Sequence, residues 1–108
     1  MIVLGDLNDQ LDDSTAHNVF NCFINDPDNY DFVDMEIAQG SQEYWSYPSW
    51  PSHLDHVLIT NELYDIFSKP ESIIKTLPID NYFSSEKNNY YDFISDHLPV
   101  GLKLKLDP

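Results

Sequence analysis

Three short acidic stretches, each beside an apolar run, constrain the fold of this chain more than any other feature. GDLND (5–9) follows an apolar run, whereas SHLDH (52–56) and ISDHLP (94–99) each precede one. Apolar runs of this length and alternation predict β-strands. If the last two strands run antiparallel to the first, all three acidic stretches meet at one edge of a sheet, where α/β proteins build ligand sites.

Local patterns predict the remaining elements. The predicted elements are a strand over 2–5, an amphipathic helix over 14–25, a strand pair over 30–37 and 43–47, a strand over 56–60, a short helix over 61–68 with Asn61 as its cap, and a strand over 100–106. Residues 46–52 and 80–92 are expected to be loops, and 72–79 fits either helix or strand. The order favours a single α/β domain over residues 1–108, with helices covering one face of a mixed β-sheet.

The charge balance limits the classes of partner. Acidic residues outnumber basic ones by 19 to 5, which gives a formal net charge of −14 over 108 residues. Such a surface repels polyphosphates and disfavours nonspecific binding to nucleic acid. Clustered carboxylates nevertheless suit a hard divalent cation. Metal-dependent chemistry on a phosphate group therefore stays open.

Cysteine usage and hydropathy limit the compartment. Cys22 is the only cysteine, so neither an intrachain disulfide nor a multi-cysteine zinc site is possible. It lies off the apolar stripe of the predicted helix, and we expect its thiol to be partly buried. The chain contains no recognisable secretory signal and no stretch that could span a bilayer. We expect a soluble protein without a membrane span. The cytoplasm is favoured, and secretion stays open if further residues precede Met1.

Side-chain spacing in the first two acidic stretches selects candidate site residues. In a strand, Asp6 and Asn8 would share a face, so both could point at one ligand. Asp55 and His56 are adjacent and would point to opposite faces, so only one of them is expected in the site. Taken singly, each of these residues also fits a polar turn cap or an exposed charge.

The third stretch is less regular. Asp96 and His97 precede Pro99, where the backbone need not be extended, so both side chains could turn inward. The other histidines, His17 and His53, are expected at the surface, although His53 adjoins a motif and could touch a substrate.

Read in order, GDLN, SHLDHVLI and SDHLPV resemble the three C-terminal motifs of the endonuclease/exonuclease/phosphatase superfamily. This family includes DNase I-like nucleases, abasic-site endonucleases, inositol-polyphosphate phosphatases, sphingomyelinases and deadenylases. The motifs span residues 4–100, and the aromatic YWS ahead of the second motif is also similar to the family. The resemblance implies one half of the DNase I-like four-layer α/β sandwich, with the N-terminal half absent.

The resemblance also implies roles for individual residues. Asp6 would orient or activate the attacking water, and Asn8 would hold the phosphate or that water. Asp55 would fix the ring of His97, which would contact the scissile phosphoryl oxygens. Asp96 would lie on the metal ion, Mg²⁺ or Mn²⁺. His56 matches a position that varies in the family and is left out of the site.

The implied activity is divalent-metal-dependent hydrolysis of a phosphodiester or phosphomonoester bond by the complete protein. The acidic charge favours small phosphate esters over nucleic acid as substrate. The family's N-terminal half supplies an Asn and a Glu to the metal, and no motif in this chain replaces them. We therefore expect the isolated chain to be inactive or feeble. The alternative is a non-catalytic truncated fragment that folds and self-associates. In the family one face of this sheet packs on the N-terminal half, so the resemblance implies an exposed sheet face here and predicts a homodimer through it.

Overall fold

The chain folds into short helices around two small antiparallel sheets, a mixed α/β arrangement. The computed structural model describes the backbone of residues 1–108 and the side chains of all but residues 84–87. The elements are β1 (Ile2–Asp6), α1 (Asn21–Ile24), β2 (Tyr30–Phe32), α2 (Met35–Ala38), β3 (Asp55–Thr60), α3 (Tyr64–Phe67), β4 (Ile73–Thr76), α4 (Lys87–Phe93) and β5 (Val100–Lys103). Three 3-10 helices span Gln42–Tyr44, Asn61–Leu63 and Ile79–Glu86.

The first sheet brings the first two acidic stretches together. Its strand order is β1-β3-β2, and β3 runs antiparallel to both neighbours. In this register Asp6 lies opposite Asp55, and the Leu7 N–H donates to the Leu54 carbonyl at 2.9 Å just beyond the strands. The condition for the first two acidic stretches to meet, an antiparallel arrangement of their strands, is therefore met.

The second sheet consists of β4 paired antiparallel with β5. The ambiguous segment 72–79 therefore contains a strand, and the predicted strand over 100–106 ends early, at Lys103. Apolar side chains of this sheet, Ile74, Val100 and Leu102, pack against Val57 and Ile59 of β3. The third acidic stretch reaches the first sheet through this packing, and not by joining it as a strand.

Both faces of β3 are covered. Leu58 packs in one cluster with residues of β2, α1 and α2, while Val57 and Ile59 pack in another that includes Tyr64 and Phe67 of α3. Because successive strand residues point to opposite faces, the two clusters lie on opposite sides of the sheet. The expectation of helices on one face is therefore wrong. The expectation of a mixed sheet is also wrong, because every strand pair in both sheets is antiparallel. A continuous apolar run such as VLI is typical of a strand buried on both sides.

The predicted helix over 14–25 is wrong in extent, because only Asn21–Ile24 is helical. The side chain of the buried Asn18 explains the loss of the first half. Its amide donates to the Leu11 carbonyl at 2.8 Å, and its oxygen accepts the Phe20 N–H at 2.8 Å. Such bonds compete with helical backbone pairing. Cys22, on the remaining turn, is exposed and not partly buried.

Two other predicted segments differ from the structure. Of the strand pair over 30–37 and 43–47, only Tyr30–Phe32 is a strand, and it pairs with β3. The chain then leaves the sheet at Asp34 and forms α2, whose Ile37 N–H donates to the Asp34 carbonyl at 3.0 Å. β2 pairs with β3, and not with residues 43–47, because that pairing buries its side chains. The local alternation of apolar and polar residues does not encode which strand is the partner.

The loop predicted over 80–92 is also wrong, since a 3-10 helix and α4 occupy it. Burial of Tyr90, only 2% exposed, stabilises this polar segment, as tertiary packing commonly does for short helices. The short helix predicted over 61–68 is present as a 3-10 turn followed by α3. Asn61 does not cap it, because its side chain donates to the Asp28 carbonyl at 3.1 Å.

No helix within the described part of the chain has the length and apolar character needed to cross a membrane.

Candidate active site

The second and third acidic stretches meet in a hydrogen-bonded pair. Asp55 opens β3, and its Oδ2 lies 2.5 Å from Nδ1 of His97, in the loop before β5. Both side chains are 20% exposed, so the pair is reachable from solvent. The two residues are 42 positions apart in the chain, and the resemblance predicted their pairing. Asp55 and His56 point to opposite sides, as expected, because His56 has different partners.

Several contacts fix the orientation of the His97 ring. The Tyr90 hydroxyl donates to the His97 carbonyl at 2.7 Å, and the His97 N–H donates to Ser95 Oγ at 3.0 Å. The Tyr47 ring lies against the imidazole with centroids 4.9 Å apart and planes inclined by 31°. With Nδ1 on Asp55, the other ring nitrogen, Nε2, lies 3.9 Å from Asp6 Oδ2.

Asp6 and Asn8 come together through a turn, and not through a shared strand face. β1 ends at Asp6, and Asn8 has a φ of +55°, a left-handed conformation that Asn tolerates better than most residues. The Asn8 N–H donates to Asp6 Oδ1 at 2.9 Å. This bond leaves Asp6 Oδ2 facing His97.

Asp96 is exposed, and the structure does not bring it into a described metal-binding group. Its charge does act on the neighbouring ring. Partial burial alone would lower the pKa of His97, but the hydrogen bond and charge of Asp55, with the charges of Asp6 and Asp96, outweigh burial and raise it. The raised pKa widens the pH range over which the ring is an imidazolium, and that form can donate from Nε2 to an oxyanion.

A second group of titratable side chains is fully buried beside this pair. Asp34 Oδ2 lies 3.0 Å from His53 Nε2 and 2.7 Å from His56 Nδ1, and the three residues are at most 1% exposed. One ligand atom from each lies within 4.8 Å of the others, so the group could hold a metal ion. The expectation that His53 lies at the surface is wrong.

Backbone groups hold the buried acid and its histidines in place. Asp34 Oδ1 accepts the Val57 N–H at 2.8 Å, and His56 Nε2 lies 2.8 Å from the Asp9 carbonyl oxygen. Burial by itself would raise the pKa of Asp34, but hydrogen bonds from His53, His56 and the Val57 N–H outweigh it and lower the pKa. Burial would likewise lower the pKa of His56, yet its bonds to Asp34 and Asp9 raise it.

Ser46 links the two groups, and residue-level reasoning missed its role. Its hydroxyl oxygen accepts the N–H groups of Leu54 and Asp55, each at 3.1 Å, and its carbonyl accepts the Leu98 N–H at 2.7 Å. The only available signal was the YWS stretch. The sequence signal for Asp34 was clearer, since this residue follows an apolar run as Asp6 does. It was missed because Asp34 was predicted to lie within a strand over 30–37.

A cavity of about 400 Å³ adjoins the site at Leu98. Its lining residues are Ile37, Glu43, Tyr44, Lys75, Thr76, Pro78, Asn81 and Leu98. Among the buried polar atoms of the described side chains, Thr76 Oγ1 is the one without a hydrogen-bond partner.

Comparison of the chain with protein-family models, with curated proteins and with solved structures finds no match.

Proposed function

We propose that the chain carries the acid–histidine part of a divalent-metal-dependent phosphoesterase of the endonuclease/exonuclease/phosphatase superfamily. The observation that carries the proposal is the 2.5 Å contact between Asp55 and His97, with Asp6 lying 3.9 Å from the second ring nitrogen. Three motifs far apart in the sequence contribute one side chain each to this arrangement. A chance scatter of loop acids gives no reason for such convergence.

The arrangement suits chemistry on a phosphate ester. His97 would donate a hydrogen bond from Nε2 to a phosphoryl oxygen, and Asp55 would hold the ring in that orientation and keep it protonated. Asp6 would orient or deprotonate the attacking water. The side-chain amide of Asn8 would bind the phosphate or the same water.

The oxygen donors beside His97 fit Mg²⁺ or Mn²⁺. Asp6 and Asp96 have exposed carboxylates whose charges both act on the ring, and hard divalent cations take carboxylate oxygens. By the resemblance, Asp96 would hold the ion. When bound, it would supply Lewis-acid stabilisation of the charge that develops on the phosphate. The buried Asp34 group has two imidazoles and fits such an ion less well.

The substrate class follows from charge. A formal charge of −14 favours a small phosphodiester or phosphomonoester over nucleic acid, because a polyanion would be repelled. By the resemblance, further metal ligands, an Asn and a Glu, belong to an N-terminal half. The half-sandwich fold is part of the same proposal, and full activity is expected only when that half is present.

The test is hydrolysis of bis-p-nitrophenyl phosphate and p-nitrophenyl phosphate with Mg²⁺, Mn²⁺ or EDTA. It uses the 108-residue chain and any longer polypeptide that its gene encodes. We expect metal-dependent turnover in the form with both halves, abolished by Asp55→Ala or His97→Ala and retained by His17→Ala, a matched change at an exposed histidine. Turnover that survives EDTA, or a His97→Ala variant as active as the wild type, would overturn the proposal.

A second candidate function is self-association without catalysis, and β1 favours it. This strand lies at the edge of its sheet, and its first three residues are exposed, with Ile2 at 42%, Val3 at 40% and Leu4 at 68%. Exposed contiguous apolar side chains drive association. A homodimer through the exposed side chains of β1 is therefore proposed.

Light scattering at micromolar protein tests this association. Wild-type protein should have a dimeric mass, and the Leu4→Lys variant should have a monomeric mass. The control variant Lys75→Leu, which adds an apolar side chain on the other sheet, should keep the dimeric mass. A monomeric wild type would remove the proposal.

A further inference from the structure

We infer that one continuous buried hydrogen-bond network, running from Asp9 through His56, Asp34, His53 and Ser46, positions the two parts of the candidate site against each other. The hydrogen bonds of this network are observed in the structure and do not depend on the proposed function. Only the catalytic role of the residues that the network positions rests on that proposal.

The proton positions in the first half of the network follow from its partners. The Asp9 carbonyl can only accept, so His56 Nε2, at 2.8 Å, must carry a proton. An ionised Asp34 can only accept hydrogen bonds, as it does from the Val57 N–H, so His56 Nδ1, at 2.7 Å, donates to it as well. His56 is therefore a buried imidazolium paired with Asp34.

The second half is fixed in the same way. The Ser46 N–H donates to His53 Nδ1 at 3.3 Å, so that nitrogen presents its lone pair and the proton lies on Nε2. His53 Nε2 then donates to the second lone pair of Asp34 Oδ2 at 3.0 Å. His53 is neutral, and every ring nitrogen of the network has one complementary partner.

The ends of the network lie on the segments that carry the candidate site. Asp9 directly follows Asn8, so the bond from His56 holds the end of the first acidic turn. At the other end, the Ser46 hydroxyl accepts the Asp55 N–H and the Ser46 carbonyl accepts the N–H of Leu98, the residue after His97. Hydrogen bonds thus connect the Asp6 side of the site to the Asp55–His97 side.

The same proton positions argue against a metal ion at the buried group. His56 has no free lone pair, and the one on His53 is directed at Ser46. A cation bound by all three side chains would have to displace one proton from His56. It would also have to displace the Nε2 proton of His53 or break the bond from the Ser46 N–H to His53 Nδ1. Binding of Zn²⁺ at this group would therefore contradict the assigned proton positions most directly.

Nitrogen-15 NMR of the imidazoles tests the proton positions in the wild-type chain. We expect both ring nitrogens of His56 and only Nε2 of His53 to be protonated near neutral pH. Addition of one equivalent of Zn²⁺ should leave these signals in place. A singly protonated His56, or stoichiometric loss of the His53 and His56 ring protons with Zn²⁺, would overturn the inference.

The Ser46→Ala variant tests positioning, with Ser41→Ala as the matched exposed control. Removal of the hydroxyl should abolish the hydrogen-bonded His97 Nδ1–H resonance, which the control should retain. Unchanged His97 signals in folded Ser46→Ala would overturn the inference. If Ser46→Ala does not fold, Ser46→Cys keeps a weaker acceptor at the same place and should weaken the resonance, and an unchanged signal there would count equally against it.

Activity separates this inference from the proposed function. In a form that hydrolyses phosphate esters, Ser46→Ala should lower kcat roughly a hundredfold with little change in KM, as expected for a misplaced reacting group. If no form hydrolyses any ester while the NMR results hold, the proposed function fails and the network remains. Normal kcat in a variant whose His97 signals have moved would remove the positioning role.

Discussion

The substitution Asp34→Asn isolates the charge of the buried network. It keeps the shape of the side chain, and one amide oxygen can still accept the Val57 N–H, which the native carboxylate accepts at 2.8 Å. The amide cannot also accept from both His53 and His56, which lie 3.0 Å and 2.7 Å from Oδ2. His56 thereby loses its counter-ion at a site with at most 1% exposure.

The expected loss of stability is large. Breaking a buried ion pair by removing one partner costs about 3–5 kcal/mol. A domain of this size has a free energy of unfolding of about 5–15 kcal/mol, so the substitution removes a substantial part of it. At about 4 °C per kcal/mol the melting temperature should fall by about 12–20 °C.

The loss should also depend on pH. The folded-state pKa of His56 is raised above its ordinary value of 6.5, so its stabilising contribution is complete below that value and is lost as pH rises through the folded pKa. The pKa of Asp34 is lowered from 3.8, so its contribution is present above that value and is lost as pH falls through the folded pKa. The wild-type pair thus stabilises most between these two ordinary values.

In the variant, burial without a counter-ion should keep His56 neutral when folded. Below about pH 6.5 the unfolded chain then binds a proton that the folded chain does not, and stability falls by about 1.4 kcal/mol per pH unit. The difference between wild type and variant should therefore be larger at about pH 5.5 than at about pH 8.5.

Urea unfolding followed by circular dichroism at both pH values measures this difference. Asp31→Asn makes the same chemical change at an exposed position of β2 and should stay within about 0.5 kcal/mol of the wild type. A loss below about 1 kcal/mol for Asp34→Asn, or one that is equal at the two pH values, would refute the assignment of a buried ion pair.

Three further predictions concern single contacts. Asp55→Asn should lower the pKa of His97, because the hydrogen bond and charge that raise it are removed; an NMR titration that gives the wild-type value would contradict this. Ile59→Ala should cost about 2–5 kcal/mol in urea unfolding, because Ile59 is 0% exposed, and a loss below about 1 kcal/mol would mean that the site is not a packed core. Thr76→Val should raise the free energy of unfolding by up to about 1 kcal/mol, and with it the melting temperature, because it removes a buried hydroxyl without a described partner. A lower melting temperature would show that the hydroxyl is hydrogen-bonded in solution.

The sequence alone was sufficient where the deciding pattern is local and repeated. The apolar run before Asp6 and the run after Asp55 predicted two strands. The sequence also indicated that the acids would meet if these strands were antiparallel, and the structure shows that they are. The pairing of Asp55 with His97 was predicted from the resemblance of their motifs. Asp96 was predicted as a metal ligand on the same basis and stays a prediction.

Only the tertiary structure decided which single polar residues are buried. Asn18 prevents the first half of the predicted helix from forming, because its side chain bonds to the carbonyl of Leu11, seven residues away. His53 and His56 are buried because Asp34, 19 and 22 positions earlier, faces them across the sheet. Periodicity reports the average polarity of a segment, whereas the burial of one charged group depends on a partner distant in sequence, which no local pattern contains.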